Sequence, residues 1–216
     1  MGNYIKLKNF LDNFKSDPEY FKSISTLSST NGSHPRILVA VDDIKMFSGD
    51  DFNLNCKDNP GSNDHSSVDG ICYYLEDEIF NLVLVEFKHI CAIFLSDSLD
   101  ENLDPLNIHI NKNNNLTKKN IKMKLKLKPL ETIFCILPHL IKKFADSNEQ
   151  DEINEQLICS QKTYIFVMDY PDNPTRNHIA LRSDYFDLDK LSPYPFHKVF
   201  ASTQEGFETY VTNIYQ

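Results

Sequence analysis

Tryptophan is absent from this chain and glycine is scarce, with 6 among 216 residues. No Walker loop, dinucleotide-binding glycine motif, nucleophile elbow or zincin motif appears, which sets aside kinases, dehydrogenases, α/β-hydrolases and zinc proteases. No run of 18 apolar residues exists, so no membrane span is expected. The five cysteines are odd in number and widely spaced, with no Cys-x-x-Cys, which fits small core residues in a reducing compartment and hence a cytoplasmic protein. The seven histidines show no metal-ligand spacing. Positive charge is in deficit, 22 Lys and Arg against 31 Asp and Glu; a net charge of −9 argues against a protein that coats nucleic acid non-specifically.

What is present is an ordinary globular composition, 41% hydrophobic and 25% charged, in a chain long enough for one sizeable core. The simplest organisation is one domain over 1–216 with polar insertions at about 48–67 and 96–120. The most informative stretch is an apolar run from Val68 to Leu75, a polar turn at Glu76-Asp77-Glu78, and a second apolar run from Ile79 to Ile90. This reads as a β-hairpin. With Asp77-Glu78 as a two-residue loop, Ile71 pairs with Leu84, Tyr73 with Leu82, Leu75 with Phe80, and Asp69 lies opposite Glu86. Side chains alternate along a strand, so Asp69, Glu86 and Lys88 project from one face.

The second strand is apolar on both faces, as expected of a central, covered strand. Charged groups are seldom buried there unless paired or bound to metal, and two carboxylates a strand apart repel. A divalent cation relieves that repulsion, and oxygen donors suit Mg²⁺ or Mn²⁺. The competing reading of the same three residues is a structural ion pair near solvent.

Asp69-Gly70-Ile71, the hairpin, and Glu86-Phe87-Lys88 together resemble motifs II and III of the PD-(D/E)XK nuclease superfamily. The resemblance covers residues 68–90 closely and 1–170 more loosely. It implies an α-β-β-β-α-β core and a metal-dependent phosphodiesterase: Asp69, Glu86 and the Phe87 carbonyl hold the cation, and Lys88 positions or activates the attacking water. Val68 stands where many members have Pro. Glu19, in the expected first helix, is the candidate for the acid of motif I. A rival acid-x-Lys triplet, Asp43-Ile44-Lys45, lacks an upstream acid in matching register.

Along the rest of the chain, residues 3–24 predict one or two helices and Arg36–Phe47 a strand. The alternating segment Ile121–Lys128 predicts another strand, followed by a helix from Pro129 to about Phe144 that Pro138 should kink. Lys162–Tyr170 and Phe196–Ala201 predict strands, and Thr203 caps a closing helix. The sum is an α/β fold bordering on α+β: a three-layer sandwich, with a central mixed sheet between helices, and a restriction-endonuclease-like core. Lys122, Lys124, Lys126 and Lys128 form a basic run able to neutralise backbone phosphates, the alternative being a solvated face or a protected edge strand. The nuclease resemblance implies DNA as the partner, with RNA not excluded; no membrane is expected, and a homodimer or larger complex is compatible. The alternative function is a catalytically inactive nuclease-fold binding or structural subunit.

Overall fold

The computed structural model describes residues 4–29, 37–56, 65–88, 114–168 and 187–215. In chain order these form α1 (Ile5–Asp12), β1 (Phe21–Ser23), α2 (Ile24–Leu27), β2 (Lys45–Ser48), α3 (Gly49–Asn55), β3 (Gly70–Glu76) and β4 (Ile79–Lys88). There follow α4 (Asn114–Glu131), a π-helical turn (Thr132–Ile136), α5 (Leu137–Phe144), α6 (Gln150–Cys159), β5 (Gln161–Met168), a 3₁₀ turn (Leu188–Leu191), β6 (Lys198–Ser202) and α7 (Gln204–Tyr215).

The six strands make one mixed sheet in sequence order. β1 to β4 are antiparallel neighbours, while β4–β5 and β5–β6 run parallel. The hairpin register is the expected one: Ile71 opposite Leu84, Tyr73 opposite Leu82, Leu75 opposite Phe80. Its loop places Asp77 and Glu78 at φ of 49° and 65°. Two left-handed residues give the turn a twist that matches the strands it joins.

Strand alternation sorts the core into two layers. On one face Phe47, Ile71, Phe80, Leu82, Leu84, Tyr164 and Phe166 meet Leu7, Phe10 and Leu11 of α1, Phe52 of α3, Leu125 of α4 and the buried residues of α5 and α6. On the other, Met46, Cys72, Val83, Val85, Phe87, Ile165 and Val167 meet Ile24 of α2, Leu38, Val39, and Phe207 and Val211 of α7. The expected α/β architecture, a mixed sheet with helices on both faces, is present.

Several local expectations are corrected. Residues 121–128 are helical, inside α4, rather than a strand. Of the apolar residues alternating there, Leu125 is buried while Met123 and Leu127 are exposed, so burial of one helical position outweighs the period-two pattern. The helix runs through Pro129. Proline cannot donate to the carbonyl a turn back, and the ladder widens into the π turn directly after it. Thr132, the first residue of that turn, is buried and donates its hydroxyl to the Lys128 carbonyl (2.8 Å).

The strand expected over 36–47 shortens to Lys45–Ser48, with residue 36 outside the described residues. Leu38 and Val39 are buried, but their amides donate to the carbonyl and hydroxyl of Ser28 instead of a ladder. The polar stretch 48–67 contains α3, whose Ser48 cap accepts from the Asp51 amide and whose Phe52 is fully buried. The other polar stretch, 96–120, lies outside the described residues as far as 113, and from residue 114 it is the start of α4. Among the described residues of the opening segment, Ile5–Asp12 is helical and Ile24 begins the short α2, with turns and β1 between them. The capped closing helix is as expected, Thr203 Oγ1 accepting from the Gly206 amide at 3.0 Å.

Candidate active site

Asp69 sits at the bend where the chain enters β3, just beyond the last hairpin pair, Gly70 with Val85. Two neighbours fix it. Its carbonyl accepts the Gly49 amide (3.3 Å), and its Oδ2 accepts the Phe87 amide (2.6 Å) at the end of β4. Gly49 has to be glycine: a Cβ there would stand 2.0 Å from the Val68 carbonyl oxygen. The Val68 amide donates to Thr132 Oγ1 (3.1 Å), so Thr132 links the Asp69 segment to the turn carrying Lys128.

Glu86 projects from β4 on the face of Leu82 and Leu84 and is 0% exposed. Lys88, one strand repeat further on, places Nζ 2.5 Å from Glu86 Oε1, 3.8 Å from Asp69 Oδ2 and 3.2 Å from the Phe87 carbonyl, to which it donates. Lys128 reaches the same carboxylates from α4, with Nζ 2.7 Å from Glu86 Oε1 and 3.6 Å from Asp69 Oδ1. Both ammonium groups therefore crowd one oxygen of Glu86. The other, Oε2, is buried and has no hydrogen-bond partner among the described residues, and the same holds for the hydroxyl of Tyr164 on the same sheet face.

The electrostatics follow from that geometry. Burial first, and the charge of Asp69 second, push the Glu86 carboxyl up to about 7 in spite of the two lysines. Burial opposes the charge on Lys128, but Glu86 and Asp69 outweigh it and hold that ammonium above the ordinary lysine value. Tyr164 is driven well above the usual phenol range by burial, then by the charges of Glu86 and Asp69, so it is a neutral hydroxyl.

Asp69, Phe87 and Lys88 form one wall of a cavity of about 570 Å³ whose other walls include Lys22, Thr26, Ser48, Asp50 and Asp51. Asp51 is held by Lys22 (2.5 Å) and Asp50 by the hydroxyl of Ser67. Asp50 also contributes to the field that keeps Lys128 charged.

Asp69, Glu86, Phe87 and Lys88 are thus brought together. Glu19 is not with them: it lies exposed in the turn after Pro18 rather than in a helix, and its amide donates to Asp17 Oδ1. Of the basic run, Lys122 and Lys124 lie on α4, Lys126 pairs with Asp187 (3.4 Å), and Lys128 turns inward to the carboxylates. Asp50, Asp51, Tyr164 and the inward role of Lys128 escaped the sequence reading. The pattern Ser48-x-x-Asp51 is a helix-start signal that marks Asp50 and Asp51 as residues of a first helical turn.

Among the described residues no group of three or more His, Cys, Asp or Glu side chains converges as a metal cage. Of the residues brought together here, the two carboxylates and the Phe87 carbonyl offer oxygen donors to a cation. Mg²⁺ is commonly held by one or two carboxylates and keeps several waters. The hard-oxygen chemistry of this set, with Glu86 Oε2 unpartnered among the described residues, fits such an ion. No protein-family model, curated protein or solved structure matches the chain.

Proposed function

We propose that this protein is a metal-dependent phosphodiesterase, and more particularly a nuclease that hydrolyses phosphodiester bonds in DNA. The observation that carries the reading is a fully buried glutamate, one oxygen of which has no partner among the described residues, sharing Lys88 with Asp69, while Asp69 and Lys88 stand at the wall of a polar cavity. A buried unpaired carboxylate oxygen is costly to retain unless it binds something. The order of elements adds support: an antiparallel β2–β3–β4 trio, then helices, then a parallel β5, is what an α-β-β-β-α-β core requires.

In this reading Asp69, Glu86 and the Phe87 carbonyl hold Mg²⁺ or Mn²⁺. The bound ion would polarise the phosphate and supply an activated water. Asp69 is held in place by the Phe87 amide, and Glu86 by the packing of β4 between β3 and β5. Lys88 brings a positive charge to the cavity wall, where negative charge develops on the phosphate.

A second reading, a nuclease-fold subunit without catalysis, draws on one observation: two ammonium groups already balance the two carboxylates. Thermal melting with Mn²⁺ or Mg²⁺ separates them. Binding to the folded state raises the melting temperature, and Asp69→Asn abolishes the rise. Linear, circular, branched and single-stranded DNA with Mn²⁺ should then be cut by the wild type and spared by Lys88→Ala. Stabilisation without cleavage of any of these would favour the subunit; an unaltered response in Asp69→Asn would remove the metal site from this cluster.

A further inference from the structure

We propose that Lys128 is a built-in counter-ion of the two carboxylates and is displaced when a divalent ion binds; this rests on the metal reading of the same cluster. Lys128 and Lys88 bridge the same pair of carboxylates. Lys128 does so at 2.7 and 3.6 Å, Lys88 at 2.5 and 3.8 Å. With both carboxyls ionised, the two carboxylates and two ammonium groups are neutral together, in a cluster whose central member is wholly buried. Adding a divalent ion to that neutral set would place two uncompensated charges in a desolvated site, so loading requires an ammonium to leave.

The two lysines are not equivalent leavers. Lys88 also donates to the Phe87 carbonyl and lines the cavity. Lys128 comes from the opposite layer, on α4, and its contacts with the cluster are confined to the two carboxylates. Its backbone is anchored: Thr132 Oγ1 accepts from the Val68 amide and donates to the Lys128 carbonyl. Departure therefore needs rotation of one long side chain, with the helix left where it is. Once rotated, Lys128 rejoins the lysine-rich surface of α4.

Two measurements on the full chain test this. In the first, Mn²⁺ affinity is measured by calorimetry for the wild type, Lys128→Met and Lys128→Arg. Removing the competing charge should tighten binding by about tenfold or more, as expected for deleting a like charge a few ångströms away, while arginine stays at the wild-type level or weaker. In the second, wild-type protein is labelled with an amine-reactive anhydride and Lys128 modification is read by mass spectrometry. Modification should be slow in chelator and rise severalfold with Mn²⁺. Should Lys128→Met fail to fold, the labelling decides. Wild-type Mn²⁺ binding with unchanged Lys128 labelling, or with equal affinity in Lys128→Met, overturns the displacement and leaves the metal site standing. If neither wild type nor variants bind Mn²⁺, the metal reading and the displacement fall together.

Discussion

Glu86 supplies a test that needs no substrate. Its carboxyl is displaced from an ordinary 4.5 to about 7, with burial as the largest cause and Asp69 next. The folded protein therefore binds more protons than the unfolded chain between those values, and stability from this group falls as pH rises through the window. At roughly 1.4 kcal/mol per pH unit the whole displacement amounts to about 3 kcal/mol. In Glu86→Gln the titration is gone. The stability of wild type minus that of Glu86→Gln should be flat below pH 4.5, decline by about 3 kcal/mol to pH 7, and level off above it. Urea unfolding in chelator across pH 4 to 8 measures this difference, and any constant offset from the amide leaves the slope intact. Adding Mn²⁺ at pH 7 should recover stability in the wild type and not in the variant, because the ion binds the form that burial disfavours. A pH-independent difference, or one that grows with pH, would refute the account of Glu86 as a carboxylate strained by desolvation.

Other parts of the fold give further expectations. Replacing Asp77-Glu78 by Asn-Gly should stabilise the protein by about 1 kcal/mol in chemical denaturation, since both positions have positive φ and the new residues accept it readily. Gly49→Ala should destabilise it by about 3 kcal/mol or more and weaken Mn²⁺ binding, because the added carbon strikes the Val68 carbonyl next to Asp69. Burial lowers the Lys162 pKa from 10.5 to about 8, although its ammonium donates to the carbonyls of Ile158 and Ser160. The unfolded chain then holds more protons between those values, so wild type should gain stability over Lys162→Met as pH rises from 8 to 10.5; an opposite slope in thermal melts would contradict the assignment.

The hairpin was legible because its cues are local and agree: two apolar runs, two turn residues, and alternation that fixes the face of every side chain. That face placed Asp69, Glu86 and Lys88 together before any long-range contact was known. The stretch from Ile121 to Lys128 was misread because alternating Lys and apolar residues suit a strand, whereas what decides its state is the docking of Leu125 beneath the sheet and the tie from Thr132 to Val68. Both are tertiary facts. Glu19 fell outside the site for a similar reason: the short α1 ends at Asp12, and the turn after Pro18 carries Glu19 to the surface. Asp50 and Asp51 reached the cavity through a helix hidden in a polar stretch, signalled only by Ser48, Asp51 and the single buried Phe52.

The charges of the site come from three places in the chain: Asp69 before β3, Glu86 and Lys88 on β4, and Lys128 on α4. Glu86 is covered only once β5 pairs with β4 and the helices close over that face, and Lys128 arrives with the same closure. The burial that raises the energy of the carboxylate is thus the burial that completes the core, and the ammonium partially offsetting it is delivered by the same docking step. Loosening the contact between α4 and the sheet, as Thr132→Val would by leaving the Val68 amide without its acceptor, should therefore disturb stability and cation affinity together. Variants confined to the hairpin turn should change stability alone.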